Sequence, residues 1–276
     1  MSRINWTDEK LFSRLLNNKS DRTYWENISV LRKRPTKEIF EKCIELTKSE
    51  SPKQREIGID ILAQLGLPPR PFYKESNKLF FELIENERDP KVIMSILFAV
   101  GHNQEKLTKI QIDKLCEFKN TENSLIKEGL VSALNGIDKS KAIETLIHLS
   151  NDKLNYIRDW ATFGIGTQID RNNKKITQAL WNRINDKHQD TKLEAIVGLA
   201  KRKDIRIKEI AQRELLAGEY GTLLFEAILE IGDTEFLKIM KEHYKEEIKK
   251  ENINPEWLKD LQNCITELSE KIKTNG

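Results

Sequence analysis

Two stretches of the same pattern decide the fold: IRDWATFGIGTQID (residues 157–170) and TKLEAIVGLAKRKD (residues 191–204). In each stretch a basic residue comes second, small or apolar residues follow at three- and four-residue intervals, and an aspartate closes the segment. Apolar residues at these intervals lie along one face of an α-helix. The two closing aspartates are 34 residues apart, which indicates an internal repeat of one helical unit.

The closing position recurs along most of the chain. At intervals of 29 to 36 residues it is occupied by Arg34, Leu67, His102, Asp138, Asp170, Asp204 and Asp233. Each unit reads as two apolar-periodic segments joined by a short polar turn such as SESPKQ or NDKLNY. No segment alternates between apolar and polar residues as a half-buried strand does. The sequence therefore predicts an all-α solenoid, in which each helix pair buries its apolar face against the next pair.

The repeat predicts one solenoid domain over residues 1–276, with an N-terminal repeat (1–35), central repeats (36–233) and a C-terminal repeat with a capping helix (234–276). Thr36 and Ser140 are suited to cap helix N-termini, because a hydroxyl accepts from an unpaired amide. Asn254 followed by proline predicts another helix start. Gly164 and Gly198 lie inside apolar helical segments and predict close helix approach, which a side chain would block.

Composition indicates a helical, water-soluble chain. Charged residues make up 33% of the 276 residues and hydrophobic residues 38%, with only 7 Pro and 12 Gly, which favours helices over sandwiches or barrels. The three cysteines, Cys43, Cys116 and Cys264, form no CxxC pair and are expected to be free buried thiols in a reducing compartment. No apolar run has membrane-spanning length and the first ten residues are polar, so a cytoplasmic monomer without a membrane partner is expected.

The second helix of each unit carries one polar face. Positions eleven, seven and three residues before the closing residue stack on one side of that helix, and they form the most polar set of columns. This face is predicted to be exposed. It includes the carboxylates Glu56, Asp60, Asp159, Glu226 and Glu230.

The pattern VR-x-x-A-x-x-(A/G)-L/I-G, closed by Asp, resembles HEAT repeats of the bacterial, phycobilisome-lyase-like kind. DWATFGIG followed by EAIVGLAKRKD is similar to the HEAT-repeat proteins encoded beside Rhs polymorphic toxins in enterobacteria. The resemblance implies a right-handed superhelix of about seven to eight helix pairs, with the second helices lining the concave side. It also implies a ladder that joins a basic column (Arg22, Arg55, Arg158, Lys192) to the closing aspartates. Pro90, Ile126 and Gly221 interrupt the basic column, and Leu67 and His102 replace the closing Asp, so the ladder is expected to be discontinuous in the N-terminal half.

Several enzymatic and binding classes find little support in the sequence. The four histidines fall in different repeats and no His-Glu pair occurs, so the di-iron hydroxylases built on HEAT-type repeats are excluded. No metal, cofactor or catalytic residue is predicted, because zinc needs about four clustered ligands. The net charge is +3, from 47 basic and 44 acidic residues without a long basic block, which disfavours nucleic acid. A scaffold or subunit of a lyase-like enzyme system and a nucleic-acid-binding protein stay as alternatives.

Protein binding is the class that the pattern favours, because an extended repeat array offers a long rigid surface. By resemblance, the most specific role is an immunity protein that neutralises an Rhs-type toxin through its concave face. For Trp160 the column favours a half-buried packing position, whereas for Phe163 it favours contact with a partner. The predicted partner-binding residues are Arg22, Tyr24, Trp25, Glu56, Asp60, Asp159, Trp160, Phe163, Lys201 and Glu226.

Overall fold

The computed structural model describes residues 2–218 and 220–275, and over this part of the chain it contains sixteen α-helices and no β-strand. Short 3-10 turns occur at Arg3–Asn5, Gln104–Lys106 and Cys116–Asn120. The all-α prediction is confirmed. The helices are α1 Asp8–Leu16, α2 Asp21–Arg32, α3 Lys37–Thr47, α4 Pro52–Ala63, α5 Tyr73–Asn86, α6 Pro90–Gly101, α7 Lys109–Leu115, α8 Ser124–Leu134, α9 Ser140–Leu149, α10 Asn155–Gly166, α11 Lys174–Trp181, α12 Gln189–Lys201, α13 Ile207–Ala217, α14 Thr222–Ile231, α15 Thr234–Glu247 and α16 Pro255–Asn275.

The chain divides into two compact units, Met1–Thr145 and Leu146–Gly276. In the first unit the even-numbered helices stack in succession, α2 on α4, α4 on α6 and α6 on α8, and α3 packs beside α4. In the second unit α10, α12, α14 and α16 stack in the same way, with α11 and α13 packed against α12. Each unit is therefore built from helices that bury one face against the next helix of the same kind. The single uninterrupted domain expected from the repeat stays a prediction.

Helix starts follow the capping residues of the sequence. The Thr36 hydroxyl accepts from the amide of Ile39 at 3.3 Å, and the Asn254 side chain accepts from the amide of Glu256 at 2.9 Å. These bonds satisfy donors that have no partner inside the helix. Ser140 is itself the first residue of α9, so it stands one position inside the helix rather than at the predicted cap.

Close approach between α10 and α12 fixes the geometry of the second unit. A Cβ atom on Gly198 would lie 2.7 Å from the Cα of Gly166, and one on Gly166 would lie 3.2 Å from the carbonyl oxygen of Glu194. Real side chains do not tolerate the first of these distances, so the two helices meet backbone to backbone. The prediction for Gly198 is confirmed. Gly166 is the glycine that it contacts, and the same expectation for Gly164 stays a prediction.

The basic ladder differs from the expected one in its acidic partners. Arg55 donates from Nε and Nη2 to both oxygens of Glu87, at 2.7 and 2.9 Å. Arg158 makes the same two-bond contact with Asp186, at 2.9 and 2.8 Å. Both acids lie just before the next even-numbered helix, so each arginine at the start of one helix is within reach of them. The expected pairing of the basic column with the closing aspartates is therefore wrong at Arg158, and Arg55 pairs with Glu87 in the half where the closing residue is Leu67.

The closing aspartates of the second unit have other partners. Asp204 accepts from the indole of Trp181 at 2.9 Å and pairs with Arg206. Asp233 pairs with Lys208 and caps α15 by accepting from the amide of Glu235. Asp204 and Asp233 therefore secure the turns that follow α12 and α14.

Cys43, Cys116 and Cys264 are free and buried, as expected from their spacing. No helix among the described residues is both long enough and apolar enough to cross a membrane.

Candidate functional site

The polar columns of the even-numbered helices are less exposed than the sequence predicts. Asn27, Ser95, Lys127 and Val197 are buried, and Asp60 is only 6% exposed. The reason is the stacking of these helices on one another, which covers part of the face on both sides. Asp60 therefore cannot serve as the exposed partner-binding residue expected from its column.

Asp60 lies in a network of hydrogen bonds inside the first unit. The Tyr24 hydroxyl donates to its Oδ2 at 2.7 Å, and the Ser95 hydroxyl also donates to the carboxylate. Arg32 donates to the backbone oxygen of Asp60, at 2.9 and 2.6 Å, and to Gln64 at 2.7 Å. Burial raises the pKa of Asp60, whereas the bonds from Tyr24 and Ser95 and the charge of Arg32 oppose that rise. The network joins α2, α4 and α6, which is a structural role.

Three other predicted residues of the first unit lie outside this network. Glu56 is partly exposed, and burial followed by repulsion from Asp60 raises its pKa. Arg22 is exposed and pairs with Glu26 within the same helix at 3.2 Å. Trp25 is 49% exposed, and the Arg32 guanidinium lies over its ring at 5.6 Å. Trp25 is thus an accessible aromatic residue with a cation over its ring.

An aromatic pair lies on α10 in the second unit. Trp160 is 55% exposed, more than the packing position expected from its column. Its ring meets that of Phe163 edge to face, with the ring centroids 5.6 Å apart. Phe163 is partly exposed. Edge-to-face pairs of this kind hold both rings in a defined orientation, so Trp160 presents a fixed apolar surface to solvent.

An acidic cluster adjoins this aromatic pair. Asp159, His188 and Asp190 each offer one oxygen or nitrogen atom, and these atoms lie within 4.8 Å of one another. Glu194 follows Asp190 by one helical turn on α12 and is 8% exposed. We call these four residues the acidic cluster. Asp159 comes from α10 and the other three from the start of α12, so the Gly166–Gly198 contact brings the two parts together.

The acidic cluster has unbalanced negative charge. Oδ1 of Asp159 and Oε2 of Glu194 are buried and accept no hydrogen bond, and neither residue forms an ion pair among the described residues. Burial, followed by repulsion from Asp159 and Glu226, raises the pKa of Glu194 to about 7. Burial also raises the pKa of Asp159, against the effect of His188. Buried polar atoms are normally bonded, so the cluster has free capacity for a ligand.

His188 is held in place at the start of α12 by its neighbours. Its amide donates to Asp186 Oδ1 at 3.0 Å, and Nδ1 lies 3.1 Å from the Thr191 hydroxyl and 3.4 Å from the Thr191 amide. With the proton on Nε2, Nδ1 accepts from Thr191. With the proton on Nδ1, the ring donates to the Thr191 hydroxyl and Nε2 carries a free lone pair.

Lys201 and Glu226 form an ion pair at 2.8 Å between α12 and α14. Both are partly exposed. The pair joins two neighbouring even-numbered helices and neutralises one carboxylate of the second unit. Glu226 therefore has a cationic partner, which Asp159 and Glu194 lack among the described residues, although its charge still contributes to the raised pKa of Glu194.

His188, Asp190 and Glu194 are not predicted as site residues from the sequence. These residues form no pair of histidines or cysteines and no His-Glu dipeptide, and Asp159, which lies near them, is on another helix. The available signal is HQDTKLE (residues 188–194), in which a histidine and two carboxylates fall on the first two turns of one helix.

Comparisons with known proteins concern the fold of the chain. No family model matches the chain. The chain is similar to YibA. The Escherichia coli K12 protein is 24% identical over 242 residues, with 84% of this chain and 83% of YibA covered, and YibA from strain O157:H7 matches equally. An X-ray structure of E. coli YibA superposes with a TM-score of 0.70 at 22% identity, covering 97% of this chain and 94% of that one.

A second solved structure, an engineered protein, matches with a TM-score of 0.52 at 14% identity, covering 98% of this chain and 82% of the other. At these identities the likeness extends to the fold alone. The helical architecture is therefore shared with YibA over nearly the whole chain, and the name YibA states no activity.

Proposed function

We propose that the chain is a non-catalytic protein-binding module that uses the aromatic pair on α10. The observation that carries this proposal is the exposed Trp160 ring, fixed edge to face on Phe163 beside the carboxylates of Asp159 and Glu194. Tryptophans that are rigid in the free protein lose little entropy when they bind, and they are frequent at the centres of interfaces. The neighbouring negative charge favours a partner with a basic surface.

The most specific form of the proposal is an immunity protein for an Rhs-type toxin. It comes from the resemblance of the repeat to HEAT-repeat proteins encoded beside such toxins. In this form, Trp160 fills an apolar pocket of the toxin domain, and the acidic face draws a basic toxin surface towards it. A right-handed solenoid of about seven to eight HEAT-like pairs in the cytoplasm is part of the same proposal.

The test is first whether an Rhs-type toxin gene lies beside the gene for this chain, and then whether the purified full-length chain binds the C-terminal domain of that toxin. We expect Trp160→Ala to weaken the complex by a factor of about 30 or more, because loss of a central aromatic residue costs about 2 kcal/mol or more. Phe163→Leu should weaken it less, since the tryptophan remains. Calorimetry or surface-based kinetics would measure both.

The matched control is Trp25→Ala in the first unit, where a similarly exposed tryptophan has a cation over its ring. We expect this variant to bind as the original chain does. Loss of binding in Trp25→Ala with full retention in Trp160→Ala would contradict the proposal. Absence of any complex with the toxin domain would overturn the immunity role.

A further inference from the structure

The acidic cluster also has the composition of a metal site, independently of any protein partner. Its ligand atoms are one imidazole nitrogen and carboxylate oxygens, and those of Asp159, His188 and Asp190 already lie within 4.8 Å of one another. Four ligands around zinc at bonding distance lie roughly 3.4 Å apart, given bonds of about 2.0–2.1 Å. Rotation of the exposed Asp190 side chain can bring its oxygen closer to the ligand atoms of Asp159 and His188.

The second observation is the buried carboxylate of Glu194. This side chain is more than nine-tenths buried, its Oε2 has no hydrogen-bond partner, and it shares a helix face with Asp190. Glu194 lies on α12, which packs against the helix that carries Asp159, and Asp159 is the nearby charge that raises the pKa of Glu194 most. Because a buried carboxylate without a partner is costly, its position is explained if a cation lies between it and Asp159.

We infer that Asp159, His188, Asp190 and Glu194 form a binding site for one divalent transition-metal ion. Imidazole together with carboxylates suits zinc, manganese or iron, whereas magnesium and calcium prefer oxygen ligands alone. A divalent ion also neutralises two of the three carboxylate charges in the cluster.

The surroundings of His188 match this role. Binding of a metal through Nε2 requires the proton on Nδ1, which then donates to the Thr191 hydroxyl at 3.1 Å and gives up the longer bond of 3.4 Å from the Thr191 amide. Metal-binding histidines commonly donate their second nitrogen to a neighbouring oxygen in this way. Thr191 is fully buried, so it is a positioning residue that fixes the orientation of the ring.

The test is calorimetric titration of the dialysed full-length chain with zinc chloride near neutral pH. We expect one saturable site per chain. Asp159→Asn and Glu194→Gln should each weaken it by about tenfold or more, and Thr191→Val by about tenfold. Parallel titrations with magnesium and calcium chloride should give far weaker binding. The far-UV circular dichroism of each variant checks that the helices persist.

The matched control is Glu226→Gln, which removes a carboxylate of the same unit that is already paired with Lys201. This variant should bind zinc as the original chain does. The inference is overturned if the original chain shows no saturable site, or if Glu194→Gln and Asp159→Asn bind zinc unchanged. Equal losses in Glu226→Gln would also overturn it. None of these outcomes depends on a toxin, so failure of the protein-binding proposal leaves this test intact.

Discussion

Asp60 and Glu194 are buried carboxylates on stacked helices, 6% and 8% exposed, with opposite surroundings. Two hydroxyls donate to Asp60, and the positive charge of Arg32 acts on it. Glu194 has an oxygen without a partner, and the nearby charges of Asp159 and Glu226 repel it. The two carboxylates are therefore buried to nearly the same extent, but of the two only Asp60 has hydrogen-bond donors beside it among the described residues.

This difference distinguishes a carboxylate that stabilises the fold from one that can still bind a proton, a cation or a partner. A satisfied buried network stabilises the arrangement of its helices, and loss of one member leaves the others unpaired. An unsatisfied carboxylate costs stability until a proton, a cation or a partner arrives. Substitutions at the two positions should accordingly shift stability in opposite directions.

The largest expected effect is destabilisation by Asp60→Ala. The change leaves the Tyr24 and Ser95 hydroxyls without the carboxylate and removes the negative charge that faces Arg32, whose own bonds run to the backbone oxygen of residue 60 and to Gln64. We expect a loss of about 3 kcal/mol in the free energy of unfolding, measured by urea denaturation. Tyr24→Phe, which removes one donor, should lose about 1 kcal/mol. An unchanged unfolding midpoint in Asp60→Ala would show that the network does not hold the helices together.

Gly198→Ala should have the next largest effect. The added methyl group would lie 2.7 Å from the Cα of Gly166, so α10 and α12 must separate. We expect a loss of about 2 kcal/mol together with weaker zinc binding, because Asp159 moves away from the other three residues of the acidic cluster. Urea denaturation and calorimetry would measure the two effects.

The control for this glycine is Gly221→Ser. Gly221 has open space around its Cβ position and precedes α14 with an extended backbone, where serine is a favourable cap. This variant should be as stable as the original chain and bind zinc equally. A similar loss of zinc binding in both variants would mean that the α10–α12 contact does not assemble the cluster.

The fold could be predicted from the sequence because its signals are local and repeated. Apolar periodicity located the helices, and Thr36 and Asn254 marked two of their starts. Gly198 was recognisable as a contact position because a mid-helix glycine is costly without one. Each of these signals lies within one or two turns of the residue that it concerns.

The site could not be predicted in the same way, because its contacts join residues from different repeats. The repeat alignment places Asp60 in a polar column. Only the packing of the stacked helices shows that the hydroxyls of Tyr24 and Ser95 lie against its carboxylate. Asp159 and Glu194 lie on separate helices, which approach each other at two glycines. A column alignment reports the chemistry at a position and does not report which neighbours occupy the space beside it.

Glu194→Gln should give a smaller, pH-dependent effect. The pKa of Glu194 is raised from 4.5 to about 7 in the folded chain, so protonation favours folding, and the benefit is lost as pH rises through about 7. The variant, which cannot ionise, should match the original chain near about pH 5 and be about 1–2 kcal/mol more stable near about pH 8. Urea denaturation across this range without metal would measure the difference.

Two further measurements sharpen this prediction. Zinc should restore the stability of the original chain near about pH 8 and leave Glu194→Gln little changed, because bound ligand stabilises the folded state. The stability difference between Glu226→Gln and the original chain should vary with pH much less, because both chains keep Glu194 and Lys201 already pairs with the Glu226 carboxylate. A stability difference between Glu194→Gln and the original chain that stays constant with pH would place its origin outside the ionisation of Glu194.

The smallest expected effects come from the two matching arginines. Arg55→Lys and Arg158→Lys each replace a two-bond contact to an acid by a single charge, at a cost of about 1 kcal/mol. Only Asp186, the partner of Arg158, also accepts from the His188 amide. Arg158→Lys should therefore weaken zinc binding measurably by calorimetry, and Arg55→Lys should leave it unchanged. Equal zinc affinities in the two variants would mean that the ladder supports the helices without positioning the cluster.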